Sequence, residues 1–137
     1  MDILDEYYQT TVFRFSSEEF VNLLQRLIIK KEEEILLLKD KIIKYEEKRR
    51  THEAWYQSLS TFKKLFAGRP PIHHQAVEYL VNVKQRFQNI EEIKKRIADL
   101  NKIIDLVRKE PNIDQFVLSQ ILMDEIKRLI EVEGIRQ

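Results

Sequence analysis

The chain has no cysteine, two glycines and three prolines in 137 residues. Without cysteine there is no disulfide scaffold, no thiolate metal site and no cysteine nucleophile, and the redox compartment is left undetermined. Glycine averages about 7% of globular sequences, so two are few. Phosphate-binding loops, nucleophile elbows and hairpin turns draw on glycine for backbone angles and close approach that other residues resist, and none of these is expected here. Long apolar runs are missing too. The longest is four residues, 35–38, far short of the ~20 that span a bilayer and shorter than a signal-peptide core. The expectation is a soluble cytoplasmic protein with no membrane contact. An excess of one charge is also absent: 24 Lys and Arg against 23 Asp and Glu leave +1, which exerts no global pull toward nucleic acid or anionic lipid.

What is present is 43% hydrophobic and 34% charged residues, enough for one domain, 1–137, to bury a core. The few glycines and prolines punctuate it into helices. Ser16 stands three residues before Glu19, and Phe15 and Phe20 flank that cap at the spacing of a hydrophobic staple, so helix one starts at 17. Nothing stops it before Gly68, and a helix over 17–67 is roughly 75 Å long. Helix two runs over 71–109, from Pro71 to just short of Pro111. Helix three opens at Asn112, with Gln115 three residues on, and closes at Gly134, giving 112–133. In segment 1–15, Ile3, Leu4, Tyr7 and Tyr8 suit a short helix, while the β-branched and aromatic stretch from Thr10 to Phe15 reads as extended.

Apolar spacing sets how these helices pack. Val83, Ile90, Ile97 and Ile104 recur every seven residues, with Ile93, Leu100 and Val107 as the companion row. Helix one carries a matching seam in Leu24, Ile28, Ile35, Leu38, Ile42 and Tyr45. Helix three is apolar over a wider arc, from Phe116 to Ile130. The expected fold is all-α: a long antiparallel, coiled-coil-like hairpin with the shorter C-terminal helix packed back into a three- or four-helix bundle. A turn centred near residues 69 and 70 makes facing positions add to about 139. That register sets Arg49 and Arg50 against Glu91 and Glu92, and Glu53 against Arg86, as charge pairs across a polar waist.

Chemistry finds little to work with. His52 has Lys48, Arg49 and Thr51 as its helical neighbours, which repel a cation. His73 and His74 have a single carboxylate, Glu78, within a turn, so neither a metal nor a cofactor is expected. Ser58 and Ser60 lie within a helix with no glycine-bearing elbow, and no catalytic residue is assigned. The hairpin tip is different, because Lys63, Lys64, Arg69, His73 and His74 gather there among Trp55, Tyr56, Phe62, Phe66 and Tyr79. Basic residues interleaved with aromatics suit a protein partner or nucleic acid.

Two resemblances accompany this reading. Arg69 followed by His74 at a helix start resembles the Arg-x-x-x-x-His motif of HEPN ribonucleases, which implies RNA cleavage by those two residues, although Pro70 and Pro71 replace the polar residue that usually follows the Arg. Phe13-Arg14-Phe15 ahead of a Glu-rich helix, over residues 13 to about 109, looks like the stalk proteins of flagellar export ATPases, and the separate third helix departs from them. The expected function is a non-enzymatic helical protein–protein interaction module, an adaptor, inhibitor or assembly factor. Leu36, Leu37, Ile29, Ile43 and Ile103 lie off the seams, so homo-oligomerisation through exposed apolar helix faces accompanies or replaces binding of a protein partner. The alternative is a nucleic-acid-binding or HEPN-like protein acting through the tip.

Overall fold

The computed structural model describes residues 1–59 and 72–134, and the side chains from 75 onward in the second stretch. The chain is mostly helical with a small three-stranded sheet. In order come β1 (Asp2–Asp5), β2 (Thr11–Arg14), α1 (Ser17–Ser58), α2 (Ile72–Tyr79), a π-helical segment (Leu80–Lys84), α3 (Gln85–Lys109), β3 (Gln115–Leu118) and α4 (Gln120–Glu133). They fall into two compact units, one of residues 1–32 and 95–137 and one of residues 33–94. No helix among the described residues is long and apolar enough to cross a membrane.

In the first unit α1 starts as its sequence dictates. The Ser16 hydroxyl accepts from the Glu19 N–H at 3.1 Å, and the rings of Phe15 and Phe20 stack 6.4 Å apart. The Ser17 hydroxyl then donates at 3.1 Å to the carbonyl of Pro111, two residues past the end of α3, which brings the start of α1 beside the point where α3 stops. Leu24, Leu100, Ile104 and Val107 of the two seams are buried in one core with Phe20, Met123, Ile126 and Leu129.

The expectation of an all-α chain needs correction here. Ile3 and Leu4 form no helix but the central strand of a sheet ordered β2-β1-β3, with β2 antiparallel and β3 parallel to β1. The hairpin between β1 and β2 closes without glycine. Buried Asp5 accepts from the N–H groups of Tyr7, Tyr8 and Thr10 at 3.0, 2.7 and 3.0 Å and from the Thr10 hydroxyl at 2.6 Å. Gln9 takes the left-handed backbone angle, φ 52°, that glycine would otherwise supply. A carboxylate that gathers orphan amides does the work of a turn signal.

Helix three also starts later, at Gln120 rather than Asn112. Residues 115–118 include the aromatic and β-branched pair Phe116 and Val117, and β1 offers them an edge to pair with, so the ladder wins over the local cap at Asn112. The cap passes to Ser119, whose hydroxyl accepts from the Leu122 N–H at 3.4 Å, while the Glu6 carboxylate accepts from the Gln120 N–H at 2.9 Å. At the other end Gly134 adopts φ 64° and its N–H donates to the Ile130 carbonyl, the expected terminator.

Ion pairs hold α4 to its neighbours. Glu125 binds Lys31 of α1 at 2.9 Å and Arg96 of α3 at 3.3 Å, and Glu133 binds Arg26 and Lys30 at 3.3 and 3.6 Å. The Lys31–Glu125 pair is removed from water, with side chains 9% and 14% exposed.

The Thr10 hydroxyl, then the Tyr8 N–H, with smaller help from the Thr10 and Tyr7 amides, holds the Asp5 carboxyl down from 3.8 to about 2, against the opposing push of burial. A carboxylate depressed in the folded state stabilises it fully above the unfolded value of 3.8, and that contribution is lost as pH falls through about 2. Urea midpoints measured from neutral pH down to 2 are therefore expected to fall more steeply below pH 4 for the natural chain than for Asp5→Asn, which starts lower at neutral pH. Parallel curves would remove Asp5 from the acid response.

Candidate functional site

In the second unit Ile35 and Ile42 of α1, Val83 of the π-helical segment and Ile90 of α3 are buried. The same unit has an open groove of about 960 Å³ lined by α1 residues Tyr45, Lys48, Arg49, His52 and Glu53 and by Gln75, Glu78, Tyr79 and Asn82. The Arg49 guanidinium lies 5.6 Å from the centre of the Tyr79 ring, and the His52 and Trp55 rings approach to 5.6 Å. Burial, and next the charge of Glu78, push the Tyr45 hydroxyl above its ordinary value while Arg49 opposes them.

The π-helical segment shapes the second wall. Its extra residue makes the Gln85 N–H reach the Leu80 carbonyl, five residues back. Side chains also bond carbonyls along this stretch: Asn82 donates to the Glu78 carbonyl at 2.8 Å and Arg86 to the Asn82 carbonyl at 3.3 Å. π-bulges recur at functional sites because they re-aim side chains on an otherwise regular helix. Here Glu78, Tyr79 and Asn82 stand three, four and seven residues along from Gln75, the spacing of one helix face, and all four line the groove.

The facing register differs from the expected one. Ser17 meets Pro111, Lys31 and Arg96 share Glu125, and Arg49 lies against Tyr79. These position numbers add to 127 or 128, about eleven below the expected sum. Eleven residues are close to three helical turns, so the same faces still turn inward and apolar spacing alone cannot tell the two apart. The charge pairs change accordingly. Arg49 stacks on Tyr79, Glu91 binds Lys94 at 3.4 Å, Arg86 binds the Asn82 carbonyl, and Glu53 accepts from Gln57 at 3.3 Å. Among the described residues no ion pair joins Arg49 or Arg50 to Glu91 or Glu92.

Of the aromatic and basic tip, Trp55 is exposed and Tyr56 half-buried. Phe62, Lys63, Lys64, Phe66 and Arg69 lie outside the described residues, as do the side chains of His73 and His74, whose backbone opens α2. No cluster of three or more His, Cys, Asp or Glu suited to a metal ion occurs among the described residues. Asn82 was not singled out by sequence; Tyr45 reads there as a seam residue and Lys48 as one of the waist charges set against Glu91 and Glu92, and the structure places all three on the groove.

A second feature of this unit is bare apolar surface. Leu36, Leu37 and Ile43 on α1 are 65%, 62% and 54% exposed, and Val77, Leu80, Val81 and Phe87 are exposed as well. Leu36 and Ile43 are seven apart and therefore share one stripe, each displaced by about 100° from its buried neighbour, Ile35 or Ile42. Helix α1 thus carries two apolar stripes, one buried in the seam and one open. Comparisons with known protein families, with curated proteins and with solved structures find no match to this chain.

Proposed function

We propose that this chain is a non-enzymatic helical protein–protein interaction module that associates with itself through the open apolar stripe of α1. The observation that carries this reading is the second stripe, Leu36 and Ile43 beside Leu37, on a helix whose other stripe is already covered. Full burial of a Leu or Ile side chain stabilises by about 1.5–3 kcal/mol, and a twofold contact counts each residue twice. Replacing Leu36 and Ile43 together with lysine is expected to weaken association by roughly 100-fold or more. Sedimentation of the natural and doubly substituted chains over a range of concentrations checks it; equal behaviour sinks the helix-face reading.

The groove supports a second reading, nucleic-acid binding, because Lys48, Arg49 and His52 stand among Tyr45 and Tyr79. Binding of a fluorescent single-stranded RNA that weakens steeply with salt and is lost on Lys48→Glu with Arg49→Glu would favour it; salt-insensitive binding or none argues against it. The ribonuclease alternative depends on Arg69 and the His74 side chain, which lie outside the described residues.

A further inference from the structure

Among the described residues nothing pairs with either outer edge of the sheet, and the two edges differ in kind. At β3 the Asp2 N–H donates to the Asp114 carbonyl at 2.7 Å, and Asp2 and Leu4 lie opposite Gln115 and Val117. Backbone direction alternates along a strand, so Phe116 and Leu118 turn their amides and carbonyls toward β1, while Gln115 and Val117 turn theirs away. Both outward residues are exposed, Val117 at 49%. Residues 115–118 include no charge and no proline. At β2 the Phe15 N–H donates to the Met1 carbonyl and Phe13 lies opposite Ile3, so the outward row there falls on Val12 and Arg14. Arg14 is exposed and binds Asp2 at 3.2 Å. Charge and proline are the common means by which proteins blunt an edge against strand addition. The β2 edge has an arginine and the β3 edge has neither.

We propose that the β3 edge is a homotypic contact, in which two copies pair β3 with β3, antiparallel about a twofold axis, and join their sheets into one. Unpaired amides and carbonyls in a row call for an extended strand as occupant, and the absence of charge lets that strand be the same one. With the axis at Phe116, Gln115 of each copy faces Val117 of the other, and each facing pair exchanges two backbone hydrogen bonds. Asp114 then falls opposite Leu118, so no like charges are opposed. A twofold axis closes the contact at two copies. This surface is separate from the α1 stripe and is built on a different observation.

Proline at 117 removes one outward N–H and leaves the groups that face β1 in place, the one setting in which strands accept proline. Light scattering over a concentration series is expected to show Val117→Pro at a lower mass than the natural assembly: a factor of two where β3 is the one contact, and more where the α1 stripe pairs copies as well. Should circular dichroism show that Val117→Pro disturbs the fold, Val117→Lys, which adds a positive charge to each facing strand, takes its place with the same expected result. Amide exchange supplies the position: Gln115 and Val117 are expected to be protected in the assembled chain and to lose protection on dilution, with Phe116 and Leu118 protected throughout. Unchanged mass in folded Val117 variants, or unprotected Gln115 and Val117 amides in an associated natural chain, overturns the contact. Mass lost only on joint substitution of Leu36 and Ile43 overturns it and leaves the helix-face reading standing, whereas a monomeric natural chain overturns both.

Discussion

Replacing Glu125 with alanine is expected to destabilise the first unit by about 3–5 kcal/mol, a drop of roughly 10 °C or more in thermal midpoint for a chain of this size. The reason is what remains behind. Lys31 is 7% exposed and its ammonium has Glu125 at 2.9 Å; without that carboxylate a buried cation is left uncompensated. Arg96, half exposed on α3, loses the same partner but turns to water at little cost. The asymmetry can be measured. Lys31→Met alone leaves Glu125 paired with Arg96 and fills the space of the lysine stem, so it is expected to be close to neutral. Combined with Glu125→Ala it should restore much of the lost stability, because the uncompensated charge is gone. A double-mutant cycle by urea unfolding reads the coupling directly. If Glu125→Ala costs less than about 1 kcal/mol, the pair behaves as an ordinary surface contact and the account of Lys31 fails.

Helix periodicity was legible because its cause is local and repeated. Leu24, Ile35, Ile42, Val83, Ile90, Leu100, Ile104 and Val107, spaced along two seams, are all buried, and the cap at Ser16, the staple of Phe15 on Phe20 and the stop at Gly134 occupy the positions their residue types announce. The sheet was not legible for the converse reason. A four-residue strand shows too little alternation to read, and β1 is a strand because β2 and β3, one of them more than a hundred residues away, lie on either side of it. Scarcity of glycine misled in the same way. It argued against a hairpin, but Asp5 gathers four donors and Gln9 tolerates the left-handed angle, so chemistry other than glycine closed the turn.

The groove was legible in part. Tyr79 and the basic cluster around Arg49 stand out in the sequence, but their meeting depends on a register that apolar spacing leaves ambiguous by whole turns, and the π step that follows Tyr79 is marked by no glycine or proline. Surfaces follow the same logic. The open stripe of α1 could be inferred from Leu36, Leu37 and Ile43 lying off the seam, whereas the β3 edge could not, since its unpaired groups exist only once the strand order does.

Phe20 joins these two kinds of information, and truncating it is expected to cost about 3–5 kcal/mol. It is fully buried on the first turn of α1, with the ring of Phe15 at 6.4 Å and that of Phe116, from β3, at 6.0 Å; Phe13 of β2 lies 5.5 Å from Phe15 in the same cluster. Phe20→Ala therefore removes the side chain against which β3 packs and leaves a cavity beside the staple. Phe20→Leu keeps most of the volume and gives up the ring contacts, worth about 0.5–1.5 kcal/mol, so its cost should be well under half that of alanine. Amide exchange separates this from a general loss of stability: the protection of Phe116 and Leu118 is expected to fall further than that of Ile104 and Val107, which are held within α3. A sheet that keeps its protection in Phe20→Ala, with midpoint nearly unchanged, would mean that the strands hold together by their ladders and that the aromatic cluster merely occupies space between them and the helix.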